Sequence, residues 1–350
     1  MDAHDEYEKH FKSRPHVVIL GAGASVAAIP NGDRHGRKTS VMDGFIETLG
    51  MREVIADLNL STQSENLEDI YSELAERTEY NSVRNQLDSS IRNHFNAFEI
   101  PDEPTIYDLL ILALREKDLI ATFNWDPLLL QAYQRAYQIT SDIPDLTFLH
   151  GNVGVGYCAD HERGGLVDET CPECNCPFEP SRLLYPITQK NYASDTFTVS
   201  SWKKLERYLA KAYLVTVFGY SAPKTDVEAI DLLKNAWGTP EKRNMEDFEF
   251  IDIRDEAPLI ESWKDFVHTH HYSHQKSFFD SSLGKFPRRT TEELFDRTQN
   301  CVWTSPCDVF SEQLNFNDIR TIVDKLNEEE LEAKDGFITL PNSLTPKKPG

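Results

Sequence analysis

The stretch that decides the fold is HVVILGAGAS, residues 16–25. Its first half is a compact apolar run rich in β-branched residues, which is typical of a buried parallel strand. The run leads into a turn where Gly21 and Gly23 let the backbone bend tightly and approach a ligand closely. A helix beginning near Ser25 would direct its free N–H groups and positive dipole end at a phosphate. Alone, the turn is a weak signal, and an ordinary strand-to-helix connection is the alternative interpretation.

The bulk composition limits the class of protein. The chain has 350 residues, of which 39% are hydrophobic and 27% charged, so it can bury a packed core. Its net charge of −22 argues against direct binding to nucleic acid or to an anionic membrane. The first residues lack the apolar centre of a secretory signal, and no apolar run approaches the roughly 20 residues that span a bilayer. We therefore expect a cytoplasmic protein.

Further apolar runs, with helical spacing between them, predict more strands of the same sheet. They lie at residues 119–123, 146–149, 213–218 and 248–253. Strands that alternate with helices indicate an α/β fold with a doubly wound parallel, Rossmann-like sheet.

Two regions interrupt this alternation. A helical insertion is expected at 41–118, and a segment rich in Cys, Gly and Pro at 152–185. The predicted organisation is an N-terminal arm at 1–15, one catalytic domain at 16–335 that contains both insertions, and a disordered tail at 336–350 that carries several prolines.

Each of four predicted strands runs directly into a glycine or polar motif. These motifs are the glycine turn, Asn124-Trp125-Asp126, His150-Gly151 and Gly219-Tyr220-Ser221. In open α/β sheets, ligands bind in the crevice outside the carboxyl ends of the strands. Four distant stretches of sequence are therefore expected to meet at one site.

The polar members of these motifs have structural as well as chemical interpretations. Asn124 could cap the helix that follows it, although Asp126 is better placed for that cap and leaves Asn124 freer for chemistry. A lone histidine is more often structural than catalytic. The position of His150 at a strand end facing the same crevice favours a role in catalysis.

In their order along the chain, the motifs resemble those of the sirtuins and the wider set of sirtuin-like NAD⁺ hydrolases. That family has Gly-Ala-Gly-x-Ser, Thr-x-Asn-x-Asp, His-Gly, a zinc module and Gly-x-Ser. This sequence has 21–25, 122–126, 150–151, a Cys-rich insertion and 219–221 in the same order, and the resemblance covers about residues 16–255.

The resemblance implies NAD⁺ as substrate and a role for each matched residue. Asn124 would hold a ribose hydroxyl or the attacking water, and His150 would be the general base. The other matched residues would bind the dinucleotide: Gly21, Ala22, Gly23, Ala24 and Ser25 at the pyrophosphate, Asp126 at the nicotinamide carboxamide, Gly219 and Ser221 at the adenosine half, and Asp252 at the adenine ribose.

Two departures from the deacylases favour hydrolysis of NAD⁺ to ADP-ribose and nicotinamide. Sirtuin deacylases have Gly-Ile-Pro-Asp-Phe-Arg after the glycine turn, whereas residues 28–34 are AIPNGDR and lack the aromatic residue. The deacylases also have Gln where this chain has Phe123. A protein deacylase and a non-catalytic sensor of NAD⁺ or ADP-ribose remain the alternative interpretations.

The resemblance also implies a biological context. Several sirtuin-like hydrolases act in bacterial defence against phage, where depletion of NAD⁺ halts the infected cell. They often assemble as homo-oligomers or with an ATPase, an Argonaute-like protein or a sensor.

The cysteines of the insertion have the spacing of a metal site. Cys158-x-x-His161 is followed by Cys171-x-x-Cys174, and paired ligands of this kind are typical of a closed, tetrahedral, structural zinc site. Unmetallated cytosolic thiols are the alternative. Whether His161 or Cys176 supplies the fourth ligand stays open at this point. Two more cysteines, at 301 and 307, are expected to be ordinary buried thiols.

Overall fold

A six-stranded parallel sheet organises the computed structural model of the chain, with strand order β3-β2-β1-β7-β8-β9. The structure describes residues 9–39, 44–185, 195–220, 227–306 and 308–333. The strands of this sheet are β1 (His16–Leu20), β2 (Leu119–Thr122), β3 (Asp145–Phe148), β7 (Leu214–Phe218), β8 (Asp247–Ile251) and β9 (Tyr272–Gln275).

Helices cover both faces of the sheet. They are α1 (Ala22–Ala28), α2 (Phe45–Thr48), α3 (Arg52–Ala56), α4 (Leu67–Glu76), α5 (Asn81–Asn96), α6 (Ile106–Leu112), α7 (Leu128–Tyr137), α8 (Thr196–Leu209), α9 (Val227–Trp237), α10 (Glu256–Trp263), α11 (Ser282–Lys285), α12 (Thr290–Thr298) and α13 (Phe316–Glu332). Single 3₁₀ turns lie at Thr78–Tyr80, Pro240–Lys242 and Phe278–Asp280.

The alternation of β1 explains the two hydrophobic cores. Successive side chains of a strand point to opposite faces, and all five residues of β1 are buried. Val18 and Leu20 pack into the core with α1, α6 and α7. Val17 and Ile19 pack into the second core with α8, α9 and α10. The doubly wound parallel fold expected from the sequence is confirmed.

The strand register places the predicted site motifs in one row. Leu20 pairs with both Thr122 and Phe218, and the neighbouring strands continue the row through Phe148 and Ile251. The predicted site residues begin one or two residues beyond these positions, at the carboxyl ends of these five strands. The strand order reverses its direction between β1 and β7, which is where dinucleotides bind in such sheets.

The sheet extends one strand further than the sequence predicts. The edge strand β9 carries only polar and aromatic residues, so it lacks the apolar run by which the other strands are recognised. Its backbone pairs in parallel with β8, and His274 Nε2 lies 2.9 Å from the carbonyl oxygen of Asp252.

The Cys-rich insertion forms a small antiparallel sheet of its own, with order β5-β4-β6. Its strands are β4 (Val155–Cys158), β5 (Arg163–Leu166) and β6 (Glu179–Pro180). The expected helical insertion at 41–118 holds α2 to α6, within the described residues. Cys301 is exposed, so its prediction as a buried thiol is wrong, and Cys307 lies outside the described residues.

The described part of the predicted N-terminal arm packs on the domain. Phe11 is buried against Tyr213 and Phe295, and the Arg14 guanidinium lies over the Tyr213 ring. Residues 1–8 and the predicted tail at 336–350 lie outside the described residues. No helix of the described ranges is long and apolar enough to cross a membrane.

We predict that His16 makes the stability of the fold depend on pH. Its ring is fully buried, with Nδ1 2.9 Å from Thr290 Oγ1 and Nε2 2.7 Å from Thr216 Oγ1. Burial, with help from the charge of Lys117, lowers the pKa of His16 from 6.5 to about 3. Between pH 6.5 and about 3, the unfolded chain therefore binds a proton at His16 and the folded chain does not. The free energy of unfolding falls as the pH drops through this range, by up to about 1.4 kcal/mol per pH unit.

Urea unfolding at several pH values checks this. We expect His16→Gln to lower the dependence of the unfolding free energy on pH in that window, whatever its effect at pH 7. His10 is exposed, so His10→Gln is the control for the loss of one histidine. Equal slopes for the wild type and His16→Gln would contradict the assignment.

Candidate functional site

Close backbone packing joins the glycine turn to the end of β7. Gly219 has a φ of +60°, and a Cβ at this position would lie 2.4 Å from the backbone nitrogen of Ala24. A Cβ on Gly23 would in turn lie 2.8 Å from the Cα of Gly219. Only glycines allow these two turns to touch, so the first and fourth motifs form one surface.

This packing uses much of the turn's hydrogen-bonding capacity. The N–H groups of Gly21, Gly23 and Ala24 donate to the carbonyl oxygens of Phe218, Gly219 and Gly21 respectively, all at 3.0 Å. Among the described residues, no turn or loop carbonyl accepts a hydrogen bond from the N–H of Ala22. The turn is thus a rigid connection with few backbone donors left for an anion.

A buried polar network lies beneath the turn, centred on Ser25. The Ser25 hydroxyl donates to Asp126 Oδ2 at 2.7 Å and lies 2.8 Å from the Tyr107 hydroxyl. It also accepts from Asn124 Nδ2 at 2.9 Å. One donor and two acceptor positions are all that a serine hydroxyl has, so this side chain is fully engaged and is 2% exposed.

The network fixes which way the Asn124 amide points. Its Nδ2 donates to the carbonyl oxygen of Gly21 at 2.9 Å, and a carbonyl can only accept, so the nitrogen must be on that side. The same nitrogen lies 2.9 Å from Ser25 Oγ and 3.2 Å from the Tyr107 hydroxyl. In the described part of the chain, no donor is recorded for Asn124 Oδ1, so the acceptor half of the amide is uncommitted.

Asp126 joins the network to the start of α7. Its Oδ1 accepts from the backbone N–H of Leu128 at 3.1 Å, as expected for the residue better placed to cap this helix. Its own backbone carbonyl accepts from Asn152 Nδ2 at 2.6 Å. Burial raises the pKa of the Asp126 carboxyl, and the hydrogen bond from Ser25 only partly offsets this.

His150 lies at the end of β3, two residues beyond the row. Gly151 follows it with a φ of +76°, and a Cβ there would lie 2.0 Å from the carbonyl oxygen of Arg182. The backbone carbonyl of His150 accepts from the N–H of Leu184 at 2.9 Å. The chain that leaves the small sheet therefore packs directly against the His-Gly turn.

Aromatic rings form a wall beside His150. The Phe123 ring meets the imidazole edge-on, with centroids 4.7 Å apart, and stacks on Tyr220 at 4.2 Å with an interplanar angle of 14°. Phe123 stands where the resemblance would place a glutamine. An apolar side chain therefore contacts His150 and the strand end of β7 at this position.

The remaining predicted binding residues are placed less favourably or not described. Both carboxylate oxygens of Asp252 accept from the Arg254 guanidinium, at 2.9 and 2.6 Å. Burial raises the pKa of Asp252, and the hydrogen bonds and charge of Arg254 more than offset it, so the pKa lies below its usual value. Ser221 lies outside the described residues.

The predicted metal-ligating residues come together at one end of the small sheet. The side-chain ligand atoms of Cys158, His161, Cys171 and Cys174 all lie within 4.8 Å of one another. Cys176 is exposed, and its Sγ is directed at the carbonyl oxygen of Cys174. The structure therefore selects His161 as the fourth member of the group.

The spacing within this group fits a tetrahedral metal. Cys158 Sγ lies 3.8 Å from Cys174 Sγ and 3.4 Å from His161 Nδ1, and Cys171 Sγ lies 3.7 Å from the same nitrogen. A tetrahedral zinc with bonds of about 2.3 Å to sulfur and 2.0 Å to nitrogen would place sulfurs about 3.8 Å apart and sulfur about 3.5 Å from nitrogen. The three distances match this geometry, so these residue types and their spacing fit a zinc ion.

Two residues of the site have no signal in the sequence. Tyr107 comes from the helical region, where its apolar neighbours identify it only as a core position. Asn152 is the second residue after His150, and its side chain binds the backbone carbonyls of Asn124 and Asp126. Its proximity to the His-Gly motif is the only hint that could have found it.

Comparisons with known proteins give structural likenesses only. No family model matches the sequence, and no curated protein matches it. Among solved structures, one from work on sirtuin substrate affinity is 16% identical with a TM-score of 0.41, covering 84% of this chain and 99% of that chain. A Sir2 complex with an inhibitor, 2'-O-acetyl-ADP-ribose and a deacetylated p53 peptide is 17% identical with a TM-score of 0.36, covering 83% and 98%.

A Sir2 homologue mutant bound to ADP-ribose is 16% identical, with a TM-score of 0.36, and the match covers 86% of this chain and 98% of that chain. These identities and TM-scores are low, and the fold of this chain rests on its own strand order.

We predict that the hydrogen bonds of the buried Ser25 hydroxyl stabilise the fold. Ser25→Ala would leave Asp126 Oδ2 and the Tyr107 hydroxyl each short of a buried partner, which should cost about 2 kcal/mol or more. Tyr107→Phe removes the hydroxyl itself and should cost about 1 kcal/mol. Urea unfolding measures both, with the exposed Ser89→Ala on α5 as a near-neutral control. A Ser25→Ala protein as stable as the Ser89→Ala protein would refute this network.

Proposed function

We propose that this chain is an NAD⁺ glycohydrolase that cleaves NAD⁺ to ADP-ribose and nicotinamide. The observation that carries the proposal is the state of Asn124, whose amide nitrogen is fixed by Gly21 and Ser25 while its oxygen is uncommitted. This acceptor follows β2, beside the Gly21 turn that borders the switch point between β1 and β7, where ligands of such folds bind. The resemblance of the motifs to sirtuin-like hydrolases supplies NAD⁺ as the ligand.

In this proposal Asn124 orients the nucleophile. Departure of nicotinamide builds positive charge on the ribose, and a water must then reach the anomeric carbon. Asn124 Oδ1 would accept a hydrogen bond from that water or from a ribose hydroxyl. Because Nδ2 is held by acceptors of the protein, the amide cannot rotate away, and such positioning lowers the entropy cost of reaction.

His150 is the proposed general base. Its imidazole would accept the proton that the water or the ribose hydroxyl releases late in the reaction. The stacked rings of Phe123 and Tyr220 would limit its movement and shield one side of the site from water.

The geometry of the site modifies the dinucleotide-binding roles that the resemblance implies. The glycine turn would meet the pyrophosphate mainly through its shape and the N–H of Ala22, with Ser25 supporting it from below. Asp126 would reach the nicotinamide carboxamide with a lone pair not used by Ser25 and Leu128. Gly219 with Ser221 would meet the adenosine half, and Asp252 could meet the adenine ribose if Arg254 shares it.

Phe123 favours hydrolysis over the rival deacylase reaction. The Phe123 ring, which contacts the His150 imidazole, stands where the resemblance places a glutamine and offers no hydrogen bond to an acyl-amide substrate. A deacylase would release acyl-ADP-ribose, and a sensor would bind NAD⁺ without turning it over. Product analysis therefore separates the three interpretations.

We propose that Cys158, His161, Cys171 and Cys174 hold one structural zinc ion. The four ligands would leave no open position, so the metal would stabilise the small sheet and take no part in the chemistry. The small sheet passes into the chain that packs on Gly151, so loss of the metal would loosen the support of His150 only indirectly.

We also propose that the activity is latent in the isolated chain and serves anti-phage defence in the cytoplasm. A constitutive hydrolase would deplete the NAD⁺ of its own cell, so a trigger is required. Homo-oligomerisation or a partner such as an ATPase, an Argonaute-like protein or a sensor would provide it, in line with the sirtuin-like resemblance.

The catalytic assignment predicts different losses for two variants. Asn124→Ala should abolish nicotinamide release under conditions where the wild type is active, while NAD⁺ binding by calorimetry stays within a few-fold. His150→Ala should lower turnover by about 10²–10⁴-fold. Asn317→Ala, an exposed asparagine on α13, is the matched control and should retain full turnover.

Chromatography of nicotinamide, ADP-ribose and acyl-ADP-ribose, with an acetylated peptide present, measures these effects. Near-normal turnover by a folded Asn124→Ala protein would show that the catalytic assignment is wrong. Acyl-ADP-ribose as the main product would establish the deacylase instead.

The metal assignment predicts one zinc per chain by elemental analysis. Cys171→Ser should lose the metal, because a buried ligand is replaced by a poor one, and should lower the melting temperature of the protein. Cys176→Ser is the matched control and should keep a full complement of zinc. Metal-free wild-type protein that is fully folded, or equal zinc loss in both variants, would overturn the assignment.

A further inference from the structure

The end of β8 is joined to the glycine turns of the site by a chain of backbone contacts. The N–H of Gly219 donates to the carbonyl oxygen of Ile251 at 3.0 Å, and Gly219 in turn packs on Gly23. Asp252 follows Ile251 directly, at the same edge of the sheet. The adenine ribose of a dinucleotide whose pyrophosphate lies at the glycine turn would therefore point towards Asp252.

The backbone that carries Asp252 is anchored by the edge strand and by a lysine. The N–H of Asp252 donates to the carbonyl oxygen of Gln275 in β9 at 3.0 Å. The ammonium group of Lys276 donates to the carbonyl oxygens of Ile253 and Arg254, at 2.9 and 2.6 Å. The side chains that follow β8 therefore extend from a backbone that is fixed at three successive residues.

The Asp252 carboxylate is almost saturated by hydrogen bonds from Arg254. Its Oδ1 accepts from the backbone N–H and from Nε of Arg254, both at 2.9 Å, and its Oδ2 accepts from Nη2 at 2.6 Å. Each carboxylate oxygen has two lone pairs. Among the hydrogen bonds of the described residues, one lone pair of Oδ2 thus stays uncommitted. The Asp252 side chain is 9% exposed, so this acceptor can still be reached by a ligand.

An ionised acceptor of this kind distinguishes a hydroxyl from a phosphate. A ribose 2'-hydroxyl can donate its proton to Oδ2. A phosphate ester on the same hydroxyl has largely lost its last proton above a second pKa of about 6. Its negative charge beside the carboxylate would also weaken binding. NAD⁺ has the free hydroxyl at this position, and NADP⁺ has the phosphate.

Arg254 could bind a phosphate, but its orientation prevents this. Phosphate and carboxylate groups are matched by two parallel N–H groups of a guanidinium. The edge formed by Nε and Nη2 of Arg254 is directed at Asp252, and the side chain is 39% exposed. Asp252 therefore occupies the pair of donors that a 2'-phosphate would need.

We propose that the Asp252–Arg254 pair selects NAD⁺ against NADP⁺, with the uncommitted lone pair of Asp252 accepting from the 2'-hydroxyl of the adenine ribose. The inference rests on the proposed function for the placement of the dinucleotide. The same pair contains a blocked phosphate site. Removal of the Asp252 carboxylate would free the Nε and Nη2 edge of Arg254, beside the positive charge of Lys276, for a 2'-phosphate.

Calorimetry of the whole chain with ADP-ribose and with ADP-ribose 2'-phosphate tests the selection. These probes carry the two different 2' groups but lack the nicotinamide bond, so binding is measured without turnover. The wild type should bind ADP-ribose at least about tenfold more tightly than its 2'-phosphate. In Asp252→Ser this ratio should fall by at least about tenfold, because the phosphorylated probe binds more tightly to the freed Arg254.

Two further variants separate the role of the pair from a general effect of charge. Asp255→Ser removes the same charge from a side chain that is 94% exposed, and it keeps a residue that can cap α10. The ratio in this control should stay within about threefold of the wild type. Asp252→Ser/Arg254→Ala should lose the gain in affinity for the phosphorylated probe.

The outcomes distinguish this inference from the proposed hydrolase. An unchanged ratio in Asp252→Ser protein that binds ADP-ribose would overturn the selection, and so would a double variant that keeps the gain. Arg254→Ala alone retains the carboxylate and should still prefer ADP-ribose, which tests the selection even if Asp252→Ser does not fold. The expected ratios without any nicotinamide release would contradict the hydrolase and support the selection. Wild-type protein that binds neither probe would overturn both.

Discussion

The contact between Gly23 and Gly219 is the constraint on which the site depends. No Cβ fits at either position, so the ends of β1 and β7 lie against each other at the point where the strand order reverses. The turn then presents the carbonyl oxygen of Gly21 to Asn124 and brings the buried Ser25 over Asp126. The orientation of one amide thus follows from a backbone contact two strands away.

The sequence was sufficient to predict the sheet and the order of its motifs, because apolar β-branched runs and glycine turns are local signals. It was not sufficient for the side-chain network. Tyr107 reaches Ser25 from a helix about 80 positions away, and nothing in its own neighbours distinguishes it from a core tyrosine. The edge strand β9 was not predicted because it has no apolar run. Its place in the sheet depends on backbone pairing with β8, which leaves no local signal in the sequence.

The cysteine group also combines a local signal in the sequence with a contact that only the fold determines. Spacing alone identified two pairs of ligands but left His161 and Cys176 as equal candidates. The three-dimensional fold separates them, because the turn after β4 brings the His161 ring to the sulfurs, whereas Cys176 lies in the separate turn after Cys171 and is exposed. Ligand choice therefore depended on the local hairpin, which the sequence did not predict.

The buried Arg288 guanidinium and the Asn124 amide, which lie at opposite ends of the sheet, differ in how completely their polar atoms are bound within the described residues. At the amino end, all five N–H groups of the buried Arg288 guanidinium are bound, by Glu330, Asp142 and the carbonyl of Leu114. A network satisfied in this way stabilises a structure and has nothing left to offer a ligand. At the carboxyl end, Asn124 has its donors bound and its acceptor uncommitted. That asymmetry, more than the number of polar residues, favours the carboxyl end as the place where a substrate would complete the hydrogen bonding.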